Sequence, residues 1–155
     1  MKILNWLLTK RPGQVNEYSD RFEISHDSGE HSTLWKKVSN IIVPEYLVGL
    51  GDIYTEYDGM DLFSSTFKIA SITSAKSAEG VEIVENIEQF NEYVATMYPV
   101  FPEESIPFMY QSGIGIYAVG KKSGRIYEWD TESSELSDEY ENLETIFEEW
   151  LDAII

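Results

Sequence analysis

Residues 106–130, IPFMYQSGIGIYAVGKKSGRIYEWD, decide the fold of this chain, because three apolar segments follow one another with short polar breaks. The pattern predicts strands over Ile106–Gln111, Gly115–Gly120 and Arg125–Trp129. Lys121–Gly124 joins the last two strands as a hairpin connection with a glycine near its end. Alternating apolar residues along these two strands indicate a sheet that is covered on at least one face.

The last residues of the chain predict an amphipathic helix. Asn142 is a suitable N-cap, and acidic residues occupy the side of the helix opposite its apolar stripe. The apolar stripe follows the 3.6-residue period without a gap and comprises Leu143, Ile146, Phe147, Trp150, Leu151 and Ile154. A stripe of this kind normally packs onto a sheet, so we expect this helix to close the core.

The first part of the chain predicts mainly loop and helix. Gly13–His31 is polar and rich in loop-forming residues, which indicates a loop or a weak edge element. Ser32–Asn40 predicts a short helix with an N-terminal serine or threonine as its cap. Pro44 can take the first position of a second helix, and Asp58-Gly59 is a suitable stop for that helix.

The middle of the chain predicts strands and one further helix. Leu62–Thr73 is β-prone and predicts one or two strands, and Val81–Val84 predicts another. Asn86 can cap a helix that precedes the three strands described above. This order of elements predicts an α+β fold, a single domain over residues 1–155 in which residues 1–32 form an N-terminal extension.

The composition indicates a globular protein. The chain has 155 residues, 43% of them hydrophobic and 14% aromatic, which excludes a disordered chain. There is no cysteine, which excludes disulfides and thiolate chemistry and fits a reducing compartment. No apolar run approaches the roughly 18 residues that span a bilayer, and the N-terminal residues lack the pattern of a signal peptide. We therefore expect a cytoplasmic protein.

The charge is strongly negative and unevenly placed. The formal net charge is −17, so nucleic acid and anionic membranes are expected to be repelled and are not expected partners. Residues 1–76 carry 10 acidic and 8 basic residues, whereas residues 77–155 carry 18 acidic and 3 basic ones. This asymmetry has two interpretations: a solvated acidic face that maintains solubility, or a surface for a basic protein partner.

Residues typical of catalytic or metal sites are few. Four potential metal ligands lie within six residues: His26, Asp27, Glu30 and His31. Histidines five positions apart do not share a helix face as the four-apart zinc motif requires, and no serine has the context of a hydrolase nucleophile. The glycines of residues 113–120 precede a strand and not the helix of a nucleotide-binding loop, and Asp58–Asp61 has the character of a turn without the spacing of a calcium loop. We therefore expect no catalytic residue, no cofactor and no metal ion.

Several short motifs resemble the Smi1/Knr4 family, also called SUKH. Val43–Leu47 and Ile53–Phe63 are similar to that family's proline-led helix start and its Asx-Gly turn followed by a strand. Phe108–Gly113 and Gly124–Asp130 resemble its central strands. Leu143–Leu151 resembles its closing helix with two spaced aromatic residues. The resemblance covers the chain from about residue 33 to its C-terminal end.

The resemblance implies a fold and a role. The implied fold is a curved, mostly antiparallel sheet flanked by helices, and the implied role is protein binding without catalysis. Bacterial members of the family are similar to immunity proteins that neutralise polymorphic toxins, often nucleases or deaminases. Fungal members imply an alternative, a regulatory or scaffolding domain in cell-wall or envelope synthesis. The partner expected from the first role and from the charge is a basic toxin domain, and the oligomeric state stays open.

We expect the partner to contact the last predicted strand and the residues after it. Exposed aromatic residues among charged ones are typical of binding hot spots. The expected contact residues are Tyr127, Glu128, Trp129, Asp130, Glu132 and Glu135. For Trp129, simple packing within the sheet remains an alternative to partner contact.

Overall fold

One open antiparallel sheet of nine strands organises the chain in the computed structural model, which describes residues 2–38, 40–73 and 86–153. Each strand pairs with the next one in the sequence, so β1 and β9 are the two edges. The strands are β1 (Gly13–Glu17), β2 (Arg21–His26), β3 (His31–Lys36), β4 (Tyr57–Leu62), β5 (Phe67–Ile69), β6 (Ser105–Gln111), β7 (Gly115–Gly120), β8 (Ile126–Asp130) and β9 (Glu135–Tyr140). The helices are α1 (Ile3–Lys10), α2 (Glu45–Val48), α3 (Asp52–Thr55), α4 (Ile87–Met97) and α5 (Leu143–Ala153).

The inner face of the sheet carries the main core, because helices α1, α2, α3 and α5 contribute to the cluster that covers it. One row of paired residues crosses this face from β2 to β6 and is apolar throughout: Phe22, Leu34, Met60, Ile69 and Met109. The row continues into β7, β8 and β9 with Tyr117, Glu128 and Asp138. The inner face therefore changes from apolar to acidic towards the β9 edge.

The outer face of the sheet carries a smaller core under α4. Phe90 and Val94 of α4 pack with Ala70, with Ile116 of β7 and with Trp129 of β8. No helix among the described residues is long and apolar enough to cross a membrane. The two cores lie on opposite faces of one sheet, which is the α+β architecture expected from the order of elements.

The predictions for the second half of the chain are confirmed. Strands β6, β7 and β8 form the expected meander, and β7 and β8 are joined by the expected hairpin. Asn142 caps the closing helix, since its side-chain Oδ1 accepts a hydrogen bond from the backbone N–H of Thr145 at 3.1 Å. Asn86 caps α4 in the same way, through the N–H of Glu88 at 2.8 Å. The expected strand over Val81–Val84 lies outside the described residues.

One prediction for the first part of the chain is wrong, because Ser32–Asn40 does not begin as a helix and His31–Lys36 is strand β3. Gly13–His31 was expected as a loop or a weak edge element, and it contains the edge strand β1 together with β2, which lies inside the sheet. Burial in β2 and β3 follows the two-residue period of strands. The inward positions include His26 and Ser32, and these polar residues conceal the period from a hydrophobicity pattern.

The predicted second helix is interrupted. It divides into α2 and α3 at Gly51, whose φ of 90° is a conformation that glycine adopts readily and that a helix does not contain. Asp58-Gly59 is not a turn after the helix but part of strand β4. The expected strands near Leu62–Thr73 are confirmed as the end of β4 and as β5, with the chain reversing at Phe63–Thr66.

The N-terminal residues belong to the same core as the rest of the domain. Ile3 and Leu7 of α1 are fully buried, and Ile24 of β2 is nearly so. The start of α1 is held by Asp52, whose two carboxylate oxygens accept from the backbone N–H of Ile3 at 3.2 and 3.0 Å. Lys2 Nζ lies 2.5 Å from the Glu56 carboxylate. Residues 2–32 therefore contribute to the same core as the rest of the domain.

Replacing Asp52 by Asn should change how stability depends on pH. Burial, followed by the nearby charge of Glu56, raises the pKa of the Asp52 carboxyl in the folded protein. The folded state therefore binds this proton more tightly than the unfolded state does, and the resulting stabilisation is lost as pH rises through the raised pKa. We expect the free energy of unfolding of the original protein, relative to Asp52→Asn, to fall as pH rises from about 4, the ordinary pKa of an aspartate, through the raised pKa of Asp52. Urea titrations across this range would measure it, and a difference independent of pH would contradict it.

Candidate protein-binding surface

Residues 130–141, called here the acidic edge, form the most strongly charged part of the sheet. They comprise the end of β8, the turn that follows it, all of β9 and the residue after β9. Their acidic members are Asp130, Glu132, Glu135, Asp138, Glu139 and Glu141, and the segment contains no lysine or arginine. Every residue of β9 is exposed apart from the half-buried Tyr140. The acidic edge therefore presents its charge to solvent on a strand that, in the part of the chain that the structure describes, pairs with β8 alone.

Arg125 provides the ion pairs of the acidic edge within the described residues. Its guanidinium group pairs with the carboxylate of Glu139 and lies 3.6 Å from that of Glu141. Both partners and the arginine itself are well exposed, and surface pairs of this kind contribute little to stability because solvent screens them. One cation compensates little of the negative charge, so the acidic edge keeps a strong field.

Glu128 occupies the inner face and not the outer surface. Its Oε1 lies 2.9 Å from the hydroxyl of Tyr117, and its Oε2 accepts from the hydroxyl of Ser137 at 2.6 Å. The same tyrosine hydroxyl lies 2.7 Å from the side-chain amide of Gln111. A phenol has one proton, which it can donate either to Gln111 Oε1 or to Glu128 Oε1, and the carboxylate is the stronger acceptor. Hydrogen bonds from Tyr117 of β7 and Ser137 of β9 therefore hold the Glu128 carboxylate on the inner face.

Two tyrosines beside Glu128 stay neutral. Burial, followed by the charge of Glu128, raises the pKa of both Tyr117 and Tyr140 well above the usual range of a phenol. The Tyr140 hydroxyl donates to the Glu149 carboxylate of α5 at 3.2 Å. The inner face at this end of the sheet therefore combines carboxylates with neutral hydroxyl groups.

Tyr127 and Trp129 lie on the outer face, opposite to Glu128. Trp129 is only 3% exposed and packs against Phe101 and Tyr98, with ring centroids 5.0 and 6.0 Å away. Packing within the sheet, the alternative considered for Trp129, is thus what the structure shows, so its ring is not available to a partner. Tyr127 is half-buried and lines an outer-face groove together with Leu136.

Asp130 shapes the turn between β8 and β9. Its Oδ1 accepts from the backbone N–H groups of Glu132 and Ser133 at 2.9 and 3.3 Å. Ser134 takes a positive φ of 56° as the turn closes. The side chain of Asp130 therefore holds the turn, which places Glu132 and Glu135 on the exposed surface. Contact of these residues with a partner stays a prediction.

The structure adds acidic-edge residues that the sequence patterns missed. Leu136, Asp138, Glu139 and Glu141 lie on β9 or directly after it. Glu135–Tyr140 has one apolar residue and one aromatic residue among polar ones, so neither strand propensity nor alternation indicates a strand. The high density of acidic residues in this segment is the sequence signal that could have added these positions to the expected contact residues.

His26 and His31 do not come together as a metal or catalytic site. The His26 ring is buried in β2, with Nε2 2.8 Å from Ser32 Oγ and Nδ1 2.6 Å from the carbonyl of Arg11. Ser32 Oγ accepts from the N–H of Phe63 at 3.0 Å, so its own proton is directed to His26. This network connects α1, β2, β3 and the turn after β4.

Neither histidine offers an open site. Ser32 and His26 are 1% and 4% exposed, and a backbone carbonyl stands where a Ser–His–acid triad needs a carboxylate. His31 is exposed at the start of β3. No group of three His, Asp or Glu side chains able to hold a metal ion occurs in the part of the chain that the structure describes.

The fold and its surface define an α+β protein with a nine-stranded open sheet and one acidic edge. Comparison of the chain with protein-family models, with curated proteins and with solved structures found no match.

Proposed function

We propose that this chain is a non-catalytic, cytoplasmic protein-binding domain that neutralises a toxin with a basic surface, as immunity proteins do. The motif resemblance to the Smi1/Knr4 family supports the proposal, and the architecture implied by that resemblance agrees with the α+β sheet and closing helix observed. A nuclease is a natural partner, because proteins that bind nucleic acid carry basic surfaces.

The observation that carries the proposal is the acidic edge. Its carboxylates project from β9 and from the turn before it, and Arg125 is the cation paired with them among the described residues. A concentrated field of one sign raises the rate of encounter with a partner of opposite sign and disfavours partners of the same sign. Fast capture is what an inhibitor of a lethal enzyme requires.

The proposal is tested with the product of the neighbouring gene. Its C-terminal domain would be expressed from an inducible promoter in a heterologous host, alone or together with this chain, and survival and complex formation would be measured. We expect the domain alone to stop growth and the two together to restore it and to co-purify. A harmless neighbour, together with co-purification of envelope-synthesis enzymes from the native host, would favour the scaffolding alternative instead.

Neutralising the acidic edge should slow association. We expect Glu132→Gln/Glu135→Gln/Asp138→Asn to reduce the association rate with that domain about tenfold at low salt and to flatten the salt dependence of the rate. Dissociation should change less, because exposed charge pairs contribute about 0.2–1 kcal/mol each to the final complex. Stopped-flow mixing at low and at physiological salt separates the two rates.

A matched variant distinguishes local from general effects of charge. Glu45→Gln/Glu92→Gln/Glu103→Gln removes the same number of charges from exposed positions outside the acidic edge. We expect it to change the association rate clearly less. Equal effects of the two triple variants would mean that net charge alone steers the partner, and that the acidic edge is a solubility feature.

A further inference from the structure

We propose that β9 is a docking strand: a basic, amphipathic strand of the partner pairs with its free edge and extends the sheet to a tenth strand. The inference rests on the proposed function, because it specifies how the basic partner of that proposal is held. In this proposal the partner binds through backbone hydrogen bonds along β9 and not by packing against the surface of a helix.

The topology leaves β9 open. It is a six-residue strand that pairs with β8 on one side, and among residues 2–38, 40–73 and 86–153 no strand pairs with its other side. The backbone groups on its other side are therefore free to pair with an added strand, which is how edge strands recruit peptides. β1, at the opposite edge, differs in charge, because its one acidic residue, Glu17, lies 2.7 Å from Lys36.

The inner side of β9 selects basic side chains. Glu135 and Asp138 are paired in register with Asp130 and Glu128 of β8, so carboxylates lie side by side on this face. An added strand would place its alternate side chains about 5 Å from the inward residues of β9. Lysine or arginine at those positions would meet unneutralised carboxylates, whereas acidic residues would be repelled.

The outer side of β9 selects apolar side chains. Leu136 is 44% exposed and is the register partner of the buried Trp129, so it continues the outer core to the rim of the sheet. Glu139 also lies on this side, and its charge is compensated by Arg125. The alternate residues of an added strand would extend the apolar surface here. The two sides of β9 together specify a strand that is basic on one face and apolar on the other.

Self-association along this edge is disfavoured. Two copies of β9 pairing with each other would bring like charges into opposition, which destabilises a strand pair. The register between β8 and β9 also shifts between Trp129 and Glu128, where Ser137 is an extra residue, and this bulge interrupts regular pairing for any added strand. It is the like charges that disfavour a second copy of this chain, whereas a basic strand would meet charges of opposite sign.

The test uses a synthetic probe that does not require the natural partner. A cyclic β-hairpin peptide closed by two D-Pro-Gly turns, with lysine on one face and valine on the other, presents a preformed edge strand. Its binding to the full-length protein would be followed by backbone amide chemical shifts and by hydrogen exchange. We expect amides of residues 135–140 to be protected, and the same hairpin with glutamate in place of lysine to leave them unprotected.

Charge reversal provides the matched comparison. Glu135→Lys/Asp138→Lys should weaken binding of the lysine hairpin at least about tenfold and make the protein bind the glutamate hairpin instead. Glu92→Lys/Glu103→Lys makes the same change of charge at exposed positions elsewhere and should keep the original preference. Circular dichroism would establish that each variant is folded.

Each outcome decides between the alternatives. The docking strand is supported if the lysine hairpin protects amides of β9 and if Glu135→Lys/Asp138→Lys binds the glutamate hairpin instead. Protection confined to other residues, equal losses in the two double variants, or no binding at millimolar peptide would overturn it. Failure of the toxin co-expression experiment would reject the proposed function while leaving the peptide result intact, so the two failures are distinguishable.

Discussion

Phe147→Ala in the closing helix is expected to lower the free energy of unfolding by about 3–5 kcal/mol, because removing a buried aromatic ring leaves a cavity. Phe147 has no exposed surface. Its ring meets Phe67 of β5 edge-on with centroids 5.0 Å apart, and Trp6 of α1 lies 5.8 Å away. The substitution therefore removes the contact at which the first helix, the last helix and the sheet meet. Guanidinium titration measures the loss.

A control for this prediction lies on the other helix of similar length. Tyr93 of α4 is 50% exposed, and Tyr93→Ala should cost clearly less than 1.5 kcal/mol, since about half of its surface is already in water. Comparable losses in the two variants, or a loss below about 1 kcal/mol for Phe147→Ala, would mean that α5 does not close the core.

Asp58→Ala in strand β4 is expected to cost about 3 kcal/mol. The carboxylate is only 3% exposed and accepts hydrogen bonds from the N–H groups of Ile72 and Thr73, at 2.5 and 3.3 Å, and from the hydroxyl of Thr73. Alanine would leave these donors unsatisfied next to the core, and each such donor costs about 1–3 kcal/mol when water cannot reach it. Urea titration at neutral pH measures the effect.

Two further variants interpret the Asp58 result. Asp58→Asn keeps the shape and one acceptor oxygen, so its loss should be intermediate. Asp61→Ala changes the same residue type on the same strand, where the carboxylate accepts from the Ser65 hydroxyl at an exposed site, and should cost less than about 1 kcal/mol. Equal losses of stability in Asp58→Ala and Asp61→Ala would contradict the prediction, because they would mean that water replaces the hydrogen bonds of Asp58.

The acidic edge serves two physical requirements at once. An open nine-stranded sheet exposes edge backbone groups that would otherwise recruit other strands indiscriminately. Acidic side chains on β9 oppose self-pairing, and in the docking that we propose they would favour a partner strand of opposite charge. The surface that protects the protein from aggregation is for this reason the surface on which we place partner binding.

Local patterns predicted the elements whose buried positions are apolar. β7 is an apolar segment that is buried throughout, β8 is a β-prone segment that follows a short turn, and α5 follows the helix period, so these elements were predicted from sequence alone. Trp150 was expected in the core with the rest of the α5 stripe. It is half-buried, yet it stacks on Phe63 with centroids 4.9 Å apart, so this part of the stripe packs as expected.

The strands that the sequence patterns missed have polar residues at inward-facing positions. In β2 and β3 the inward positions include His26 and Ser32, which satisfy each other by a hydrogen bond and so need no apolar residue there. In β9 the inward positions include Glu135 and Asp138, which lie at the rim of the sheet and stay exposed. A hydrophobic period cannot report a strand whose inward side chains are paired polar groups or solvated charges.

The sequence by itself determined the α+β class, the closing helix and the negative charge of the second half of the chain, because composition and short periods are local properties. Only the tertiary structure decided that α4 covers the face of Trp129, and that Glu132, Glu135 and Asp138 lie at an open edge. Which strand ends a sheet, and which face a helix covers, depend on contacts between residues far apart in the chain, and no local pattern records those contacts.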